Sequence, residues 1–296
     1  MCQLLFIHSH RKDLNRLISM QLSLEDSRTL NTDGWGIFTK EKGIFKTELT
    51  PWTTEGFGQR IGEYVSESPV ILHVRSASRG TAVKAEFNHP FFTDSIVLIH
   101  NGTLDPKEKL TGYDDKLDSE VFLLELDKEF VKNGKKDLVK SLQTTMERFT
   151  GKFAFMIYDR VGEKFYAVRG CTADLHISYL LGAKKERLGY VINTSKEHLL
   201  AGVDNSLELA MMLGKKTPKI CEPAILDVES IFLLGDTDIE KVGEVKQNYP
   251  AGQYNSNYWP ANRSKAGYGL IGAWENDYDD EGYRTGGYVP VGAAAG

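Results

Sequence analysis

The stretch Cys2-Gln3-Leu4-Leu5-Phe6-Ile7-His8 stands almost at the start of the sequence. Residues 3–8 are short and apolar and are followed by polar residues, a pattern that predicts a buried strand. Cys2 would then stand at the entrance of that strand. If Met1 is removed, the α-amino group of Cys2 lies beside its own thiol. With a pKa of about 8, this group can accept the proton of the neighbouring nucleophile. The plainer alternative is a small apolar residue that opens a strand.

Outward from this stretch, short β-type runs alternate with a few helical patterns. We predict further strands at residues 34–39, 43–49, 70–74, 96–100, 153–158, 164–168, 188–193 and 225–234. We predict helices at residues 10–22, 53–65, 118–131 and 137–149. Because most strands follow one another through short turns, the pattern favours an α+β fold with antiparallel sheets and helices on the outside.

Composition excludes several classes of protein. The 296 residues carry 36 Lys and Arg against 41 Asp and Glu, a balance too weak for a strongly basic nucleic-acid binder. Three cysteines cannot build a disulfide framework or a four-cysteine zinc site. We find no apolar run of about 20 residues and no leader pattern, so we expect neither a membrane span nor a signal peptide. A reducing, cytoplasmic setting is the expectation.

The last part of the sequence differs from the rest. Residues 250–296 contain nine glycines and six of the 13 tyrosines, but only four Leu, Ile or Val residues. Such a segment buries too little apolar surface to offset its ordering entropy. We therefore predict a folded domain at residues 2–248 and a flexible tail at residues 249–296. Docking of a partner enzyme is an alternative role for the tail, whereas nucleic-acid stacking is a weak one because only three basic residues accompany the aromatics.

Two motifs follow predicted turns or strands in the first third of the chain. Residues 31–37 read NTDGWGI, and glycines that flank a Trp permit close backbone approach, although a simple β-turn also fits. Residues 73–78 read HVRSAS at the end of a β-rich run. A strand-end Arg75 can hold a carboxylate through its bidentate fork, but it can also be an edge residue in solvent.

Further motifs occur between residues 88 and 120. Residues 88–91 read NHPF and residues 100–103 read HNGT. The side-chain N–H of Asn101 and the backbone N–H of Gly102 could form an oxyanion hole, although Asn-Gly is also a favoured hairpin turn. Asp118 opens the strongest helical pattern, where it can cap backbone N–H groups or hold a substrate ammonium.

The order of these motifs is more informative than any one of them. A Cys at position 2, then DGWGI, HVRSAS, NHPF, HNG and DSE, resembles the glutaminase domain of the class II glutamine amidotransferases, which are N-terminal-nucleophile hydrolases. The similarity is greatest to the stand-alone group of that family. The resemblance implies a four-layer αββα sandwich of two antiparallel sheets flanked by helices. It also implies hydrolysis of glutamine to glutamate and ammonia through a thioester on Cys2.

The resemblance further implies roles for individual residues. Arg75 would hold the α-carboxylate of glutamine and Asp118 its α-ammonium. Asn101 and the Gly102 N–H would form the oxyanion hole. The remaining residues assigned to substrate binding are Ser76 and His89.

Some features depart from the family or leave alternatives open. Leu117 stands before Asp118, where a Thr is common in the family. The histidines lack an H-E-x-x-H or comparable spacing and no G-x-x-x-x-G-K-S/T loop occurs, so we expect no metal and no cofactor. We expect no synthase domain, so that ammonia passes to a partner enzyme or is released. Other hypotheses are a hydrolase of γ-glutamyl amides in small peptides or metabolites, and a non-catalytic binding subunit on the same scaffold.

Overall fold

The structure, a computed structural model, describes residues 2–28, 31–66, 68–77 and 82–246. The predicted tail at residues 249–296, and with it the predicted domain boundary, lies outside these residues. The helices are α1 (Lys12–Asp26), α2 (Phe57–Tyr64), α3 (Asp118–Lys132), α4 (Leu138–Met146) and α5 (Lys196–Met212). A short 3-10 turn covers Ala85–Phe87.

The described strands form two antiparallel sheets. The strands are β1 (Gln3–Ser9), β2 (Trp35–Thr39), β3 (Gly43–Thr47), β4 (Val70–Val74), β5 (Phe91–Phe92), β6 (Ile96–Pro106), β7 (Phe149–Asp159), β8 (Lys164–Arg169), β9 (His176–Leu181), β10 (Arg187–Asn193), β11 (Lys219–Ile220), β12 (Ala224–Ile225), β13 (Ser230–Leu234) and β14 (Ile239–Glu244). The first sheet has the order β11-β9-β10-β1-β4-β2-β3, and β12 also pairs with β9. The second has the order β14-β13-β8-β7-β6-β5.

Alternation along the strands builds the layers. In β1, Leu4 and Phe6 pack in the core between the two sheets, whereas Leu5 and Ile7 pack against helices. The outer face of the first sheet is covered by α1, α2 and α5, which contribute Ile18, Ile61, Val203 and other apolar residues. The outer face of the second sheet is covered by α3 and α4. The predicted α+β fold, a four-layer αββα sandwich, is therefore confirmed.

Three differences from the predicted elements matter. Helix α5 and strands β5, β9, β11 and β14 were not expected, and the predicted strand at residues 225–234 is two strands, β12 and β13. Strand β6 does not end near residue 100 but continues to Pro106, paired with β7 throughout. Asn101 and Gly102 therefore lie inside a strand, opposite Ala154 and Phe153, and the hairpin-turn alternative for this pair is wrong.

Candidate active site

The first sheet places Cys2 beside the end of β4. Because Gln3 lies opposite Val74 in the β1–β4 pair, Cys2 is next to Arg75 and Ser76. The half-buried Cys2 thiol accepts a hydrogen bond from the Ser76 N–H at 3.4 Å and lies 3.5 Å from the Ser76 carbonyl oxygen. Burial raises the pKa of Cys2, and this effect exceeds the opposing influence of the Ser76 N–H and the Arg75 charge. The thiol therefore stays protonated at neutral pH and needs a base to become a nucleophile.

Arg75 is a buried cation, with 5% of its surface exposed. Its guanidinium makes one hydrogen bond, 3.4 Å long, to the carbonyl oxygen of Ala82. Across residues 2–28, 31–66, 68–77 and 82–246, no carboxylate lies within ion-pair distance of it. Burial lowers the pKa of Arg75, although the charges of Cys2 and Asp33 oppose that effect. An unpaired buried cation is costly, so this position is suited to an anionic ligand.

Asp33 supports the same corner of the site, a role that the sequence did not reveal. Its Oδ2 accepts a hydrogen bond from the Ala77 N–H at 2.7 Å, while its own N–H donates to the Arg75 carbonyl oxygen at 3.2 Å. Asp33 thus ties both sides of the Cys2-contacting residue Ser76 to the start of β2. In the sequence, the position of Asp33 directly before Gly34-Trp35-Gly36 was the signal that could have pointed to this role. The contacts of Asp33 with residues 75 and 77 depend on the pairing of β2 with β4.

A glycine of the same motif permits close backbone approach, as predicted. A Cβ at Gly36 would lie 2.0 Å from the carbonyl oxygen of His89. The backbone at His89 therefore passes directly over β2, and no residue with a side chain fits at position 36. This crossing brings His89 close to β2 at the edge of the sandwich.

The second sheet carries the other candidate residues. Asn101 is buried and follows Val97 and Ile99 at a spacing of two, so it shares their face toward the first sheet. Gly102 has a φ of 144°, and a Cβ there would lie 1.9 Å from the Lys152 carbonyl oxygen. Strand β5 pairs with β6 only at residues 97 and 98. Among the described strands, only β7 therefore pairs with β6 at Asn101 and Gly102.

Asp118 is the first residue of α3 and is bound to the end of β6. Its Oδ2 accepts a hydrogen bond from the Leu104 N–H at 2.8 Å, and its Oδ1 accepts from the Ser119 N–H at 2.8 Å. No Lys, Arg or His of the described chain forms an ion pair with it. A carboxylate has about four lone-pair sites, so Asp118 retains capacity for a cationic ligand.

The candidate residues thus form two groups on facing sheets. Cys2, Arg75 and Ser76 are in direct proximity on the first sheet, and Asp118 is hydrogen-bonded to the strand that holds Asn101 and Gly102. In the part of the chain that the structure describes, no hydrogen bond joins the two groups. His89 is buried between them and contacts the rings of His73, Phe91 and His100.

Two further properties bear on the kind of site. Within the described residues, no group of three or more His, Cys, Asp or Glu side chains could hold a metal ion. None of the described helices combines the length and the apolar character that crossing a membrane requires.

Comparison with known proteins finds relatives that match part of this chain. Two curated proteins, both named glutamine–fructose-6-phosphate aminotransferase (isomerizing), come from Buchnera aphidicola subsp. Acyrthosiphon pisum and subsp. Baizongia pistaciae. They are 24% identical over 168 residues and 28% identical over 174 residues. Over about half of its length the chain is thus similar to enzymes of this name, and the predicted resemblance to glutamine amidotransferases is confirmed. Each alignment covers 54% of this chain and only 27% of the relative's length. No protein-family model matches the chain.

Solved structures share the fold of this chain. One is described as the allosteric regulatory enzyme of purine biosynthesis, with a TM-score of 0.55 and 16% identity. Another is glutamine phosphoribosylpyrophosphate amidotransferase from B. subtilis, with a TM-score of 0.53 and 16% identity. Each match covers 83% of this chain and 50% of the solved chain.

Proposed function

We propose that this amidotransferase domain hydrolyses the side-chain amide of glutamine to glutamate and ammonia, with Cys2 as the nucleophile. The observation that carries the proposal is the buried Arg75 guanidinium, which has no carboxylate partner among the described residues and lies next to the Cys2 thiol. A small substrate with a carboxylate at one end would pair with Arg75 and present its other end to the sulfur.

The proposed binding mode uses one group for each charge of the substrate. Arg75 holds the α-carboxylate of glutamine through its planar fork. Asp118 holds the α-ammonium with the lone pairs that its backbone donors leave free. Ser76 lines the substrate beside Cys2, and its backbone N–H orients the sulfur. Together these contacts fix the amide carbon near the nucleophile.

The proposed reaction begins with proton transfer from the Cys2 thiol to the α-amino group of the same residue. The sulfur attacks the amide carbon, and the N–H groups of Asn101 and Gly102 stabilise the oxyanion. The intermediate collapses to a thioester, and the α-ammonium protonates the departing nitrogen to give ammonia. A water molecule, deprotonated by the α-amino group, then attacks the thioester. Glutamate leaves, and the proton returns to the thiol.

This mechanism requires removal of Met1, because a nitrogen held in a peptide bond cannot act as a base. We expect a form that retains Met1 to release ammonia at least about 100-fold more slowly than a form that begins with Cys2. Mass spectrometry identifies the terminus of each preparation, and an ammonia assay gives its rate. Equal rates would contradict the role of the α-amino group.

The decisive experiment compares ammonia release from glutamine by the processed protein, by Cys2→Ala and by Cys171→Ala. Cys171 is a buried cysteine elsewhere in the fold and serves as the matched control. We expect Cys2→Ala to abolish turnover and Cys171→Ala to retain it. Asn101→Ala should lower kcat by about 100- to 1000-fold, whereas Arg75→Lys should mainly raise KM. Equal turnover by wild type and Cys2→Ala would contradict the proposal.

Substrate and acceptor are also part of the proposal. Faster turnover of a γ-glutamyl peptide than of glutamine would contradict the proposed substrate. We further propose that ammonia leaves the domain for a partner enzyme or for solution. A reducing, cytoplasmic setting suits this chemistry because Cys2 must remain a free thiol.

A further inference from the structure

Three buried histidines form a row of rings beside the candidate active site. The ring centroids of His73 and His89 are 4.3 Å apart, and those of His89 and His100 are 6.4 Å apart. Their exposed fractions are 0%, 7% and 1%. We call these three residues the histidine column. It extends from β4 in the first sheet, through the segment that crosses β2, to β6 in the second sheet.

Each end of the histidine column adjoins a proposed substrate ligand. His73 is the last residue but one of β4 and lies two residues before Arg75 along the chain. At the other end, His100 directly precedes Asn101, and its Nδ1 lies 2.8 Å from the Ser119 hydroxyl oxygen. The Ser119 N–H in turn donates to Asp118. The column thus connects the residue proposed to bind the carboxylate with the residues proposed to bind the ammonium and the oxyanion.

The histidine column carries a free-energy cost that apolar side chains at the same positions would not carry. Neither ring nitrogen of His89 has a hydrogen-bond partner among the described residues. An unpaired buried polar group costs about 1–3 kcal/mol. Phe91 and Phe155 flank the column, with centroids 4.7 Å from His89 and 5.1 Å from His100 respectively. An aromatic ring of similar size would therefore suit this environment better, and stability alone does not account for the imidazoles.

The imidazoles are neutral in the folded protein. Burial, with smaller contributions from His100 and Arg75, lowers the pKa of His73 to about 3. Burial and neighbouring positive groups also hold the pKa of His89 well below its usual range. Burial lowers the pKa of His100 despite the nearby Asp118 carboxylate. Neutral rings can pack at these distances without charge repulsion.

We propose that His73, His89 and His100 are positioning residues that set the location of Arg75 on one sheet relative to Asn101 and Asp118 on the other. The inference rests on the proposed function, because it assigns the column to the glutamine site. The residues act through their neighbours and do not touch the substrate. For His89, this proposal differs from the predicted role in substrate binding and agrees with a structural role behind the site.

The test uses His89→Phe in the full, processed chain, with His176→Phe as a matched control outside the column. Each protein is assayed for glutamine turnover, for labelling of Cys2 by the glutamine-shaped diazoketone 6-diazo-5-oxonorleucine, and for labelling by iodoacetamide. Iodoacetamide reports only whether the thiol is accessible and reactive. We expect His89→Phe to have a melting temperature no lower than that of wild type and an unchanged iodoacetamide rate, while kcat/KM and the diazoketone rate fall about 10- to 100-fold, mainly through KM. His176→Phe should change neither.

The outcomes separate the two proposals. If wild type hydrolyses glutamine and His89→Phe has the same KM and the same diazoketone rate, the column only fills space and the positioning proposal is wrong. If wild type neither hydrolyses glutamine nor reacts with the diazoketone, the proposed function fails, and the inference fails with it. Should His89→Phe not fold, His73→Gln provides the same comparison, with the same expected loss and the same result overturning the proposal.

Discussion

At the scale of single residues, the backbone around Gly102 leaves no room for a side chain at the proposed oxyanion hole. A Cβ at this position would lie 1.9 Å from the Lys152 carbonyl oxygen, and the backbone has a φ of 144°. We expect Gly102→Ala to lower the free energy of unfolding by about 2–4 kcal/mol through overpacking and backbone strain, and to abolish glutamine turnover. Urea unfolding and an ammonia assay measure the two effects.

Gly112 provides the matched control. It also has a positive φ, of 84°, but no atom lies within 4 Å of its Cβ position. Gly112→Ala should therefore cost only about 1–2 kcal/mol of backbone strain and retain activity. Equal losses of stability in the two variants would show that the contact with Lys152 is unimportant.

Glu125 gives a pH-dependent prediction. This buried carboxylate on α3 accepts hydrogen bonds from Arg148 at 2.6 Å, from Lys128 at 2.9 Å and from the Tyr113 hydroxyl. Burial raises its pKa, but these three donors outweigh burial and lower the pKa to about 2. Because the folded pKa is below the unfolded value of about 4.3, the carboxylate stabilises the fold above pH 4.3, and this contribution is lost as the pH falls toward 2.

The matching experiment compares wild type with Glu125→Gln in urea at pH 7 and at pH 3. We expect the free energy of unfolding of wild type to exceed that of Glu125→Gln by about 1–2 kcal/mol at pH 7. This value allows for screening by solvent, because Lys128 and Arg148 are 66% and 47% exposed. The difference should be smaller at pH 3. A difference that is the same at both pH values would contradict this account of Glu125.

The residues that the sequence revealed are those whose chemistry is evident from type and order. Cys2, Arg75 and Asp118 stood out through the order of the motifs that contain them, although each residue taken alone also had a plainer interpretation. Asp33 and His73 did not, since their importance depends on what the fold places beside them. The Ala77 N–H that Asp33 binds is 44 residues away along the chain.

At the scale of elements, α5 is the clearest feature that the sequence did not reveal. Gly202 interrupts its apolar face, and glycine is unfavourable within a helix. The structure explains the glycine: a Cβ there would lie 2.6 Å from Leu22 Cδ2 and 3.0 Å from its Cα, where α1 and α5 pack on the first sheet. A residue that weakens the local helical signal is required by the tertiary contact. Sequence patterns alone do not resolve that conflict.

This contact predicts opposite effects for two helical glycines. Gly202→Ala should destabilise the protein by about 1–3 kcal/mol, since α1 and α5 must move apart. Gly58→Ala in α2, where the nearest atom is the Met20 sulfur at 3.6 Å, should stabilise it by up to about 1 kcal/mol. Thermal or urea unfolding of both variants is the measurement. Stabilisation by both substitutions would show that α1 and α5 can move apart without loss of free energy of unfolding.

Strand β6 shows the same competition between local and tertiary preferences. The strand was expected to end near residue 100 because polar residues follow its β-branched run, and Asn101-Gly102 is also a favourable turn pair in isolation. Pairing of these residues with Ala154 and Phe153 of β7 overrides the turn preference. The four layers were predicted from the family resemblance rather than from local patterns. The strand order was not predicted, because strand pairing across the chain leaves little signal in one sequence.

At the scale of the whole molecule, the three apolar clusters draw all their residues from positions 4–245. We therefore predict that deletion of residues 249–296 changes the melting temperature by less than about 2 °C, equivalent to less than about 1 kcal/mol. Glutamine turnover should also persist. Calorimetry and the ammonia assay test both expectations. Loss of cooperative unfolding in the truncated protein would refute the domain boundary near residue 248.

The pairing of β1 has a further consequence for maturation. Gln3 is fixed opposite Val74, and Leu5 is fixed opposite Asn193, so the strand cannot slide. Each residue advances a strand by about 3.3 Å and reverses the face of its side chain. Under the proposed mechanism, a terminus trimmed one residue too far would lose the thiol, and one trimmed too little would cap the amine. Under the proposed mechanism, only a chain that begins with Cys2 combines a free amine with a thiol at the fixed end of β1.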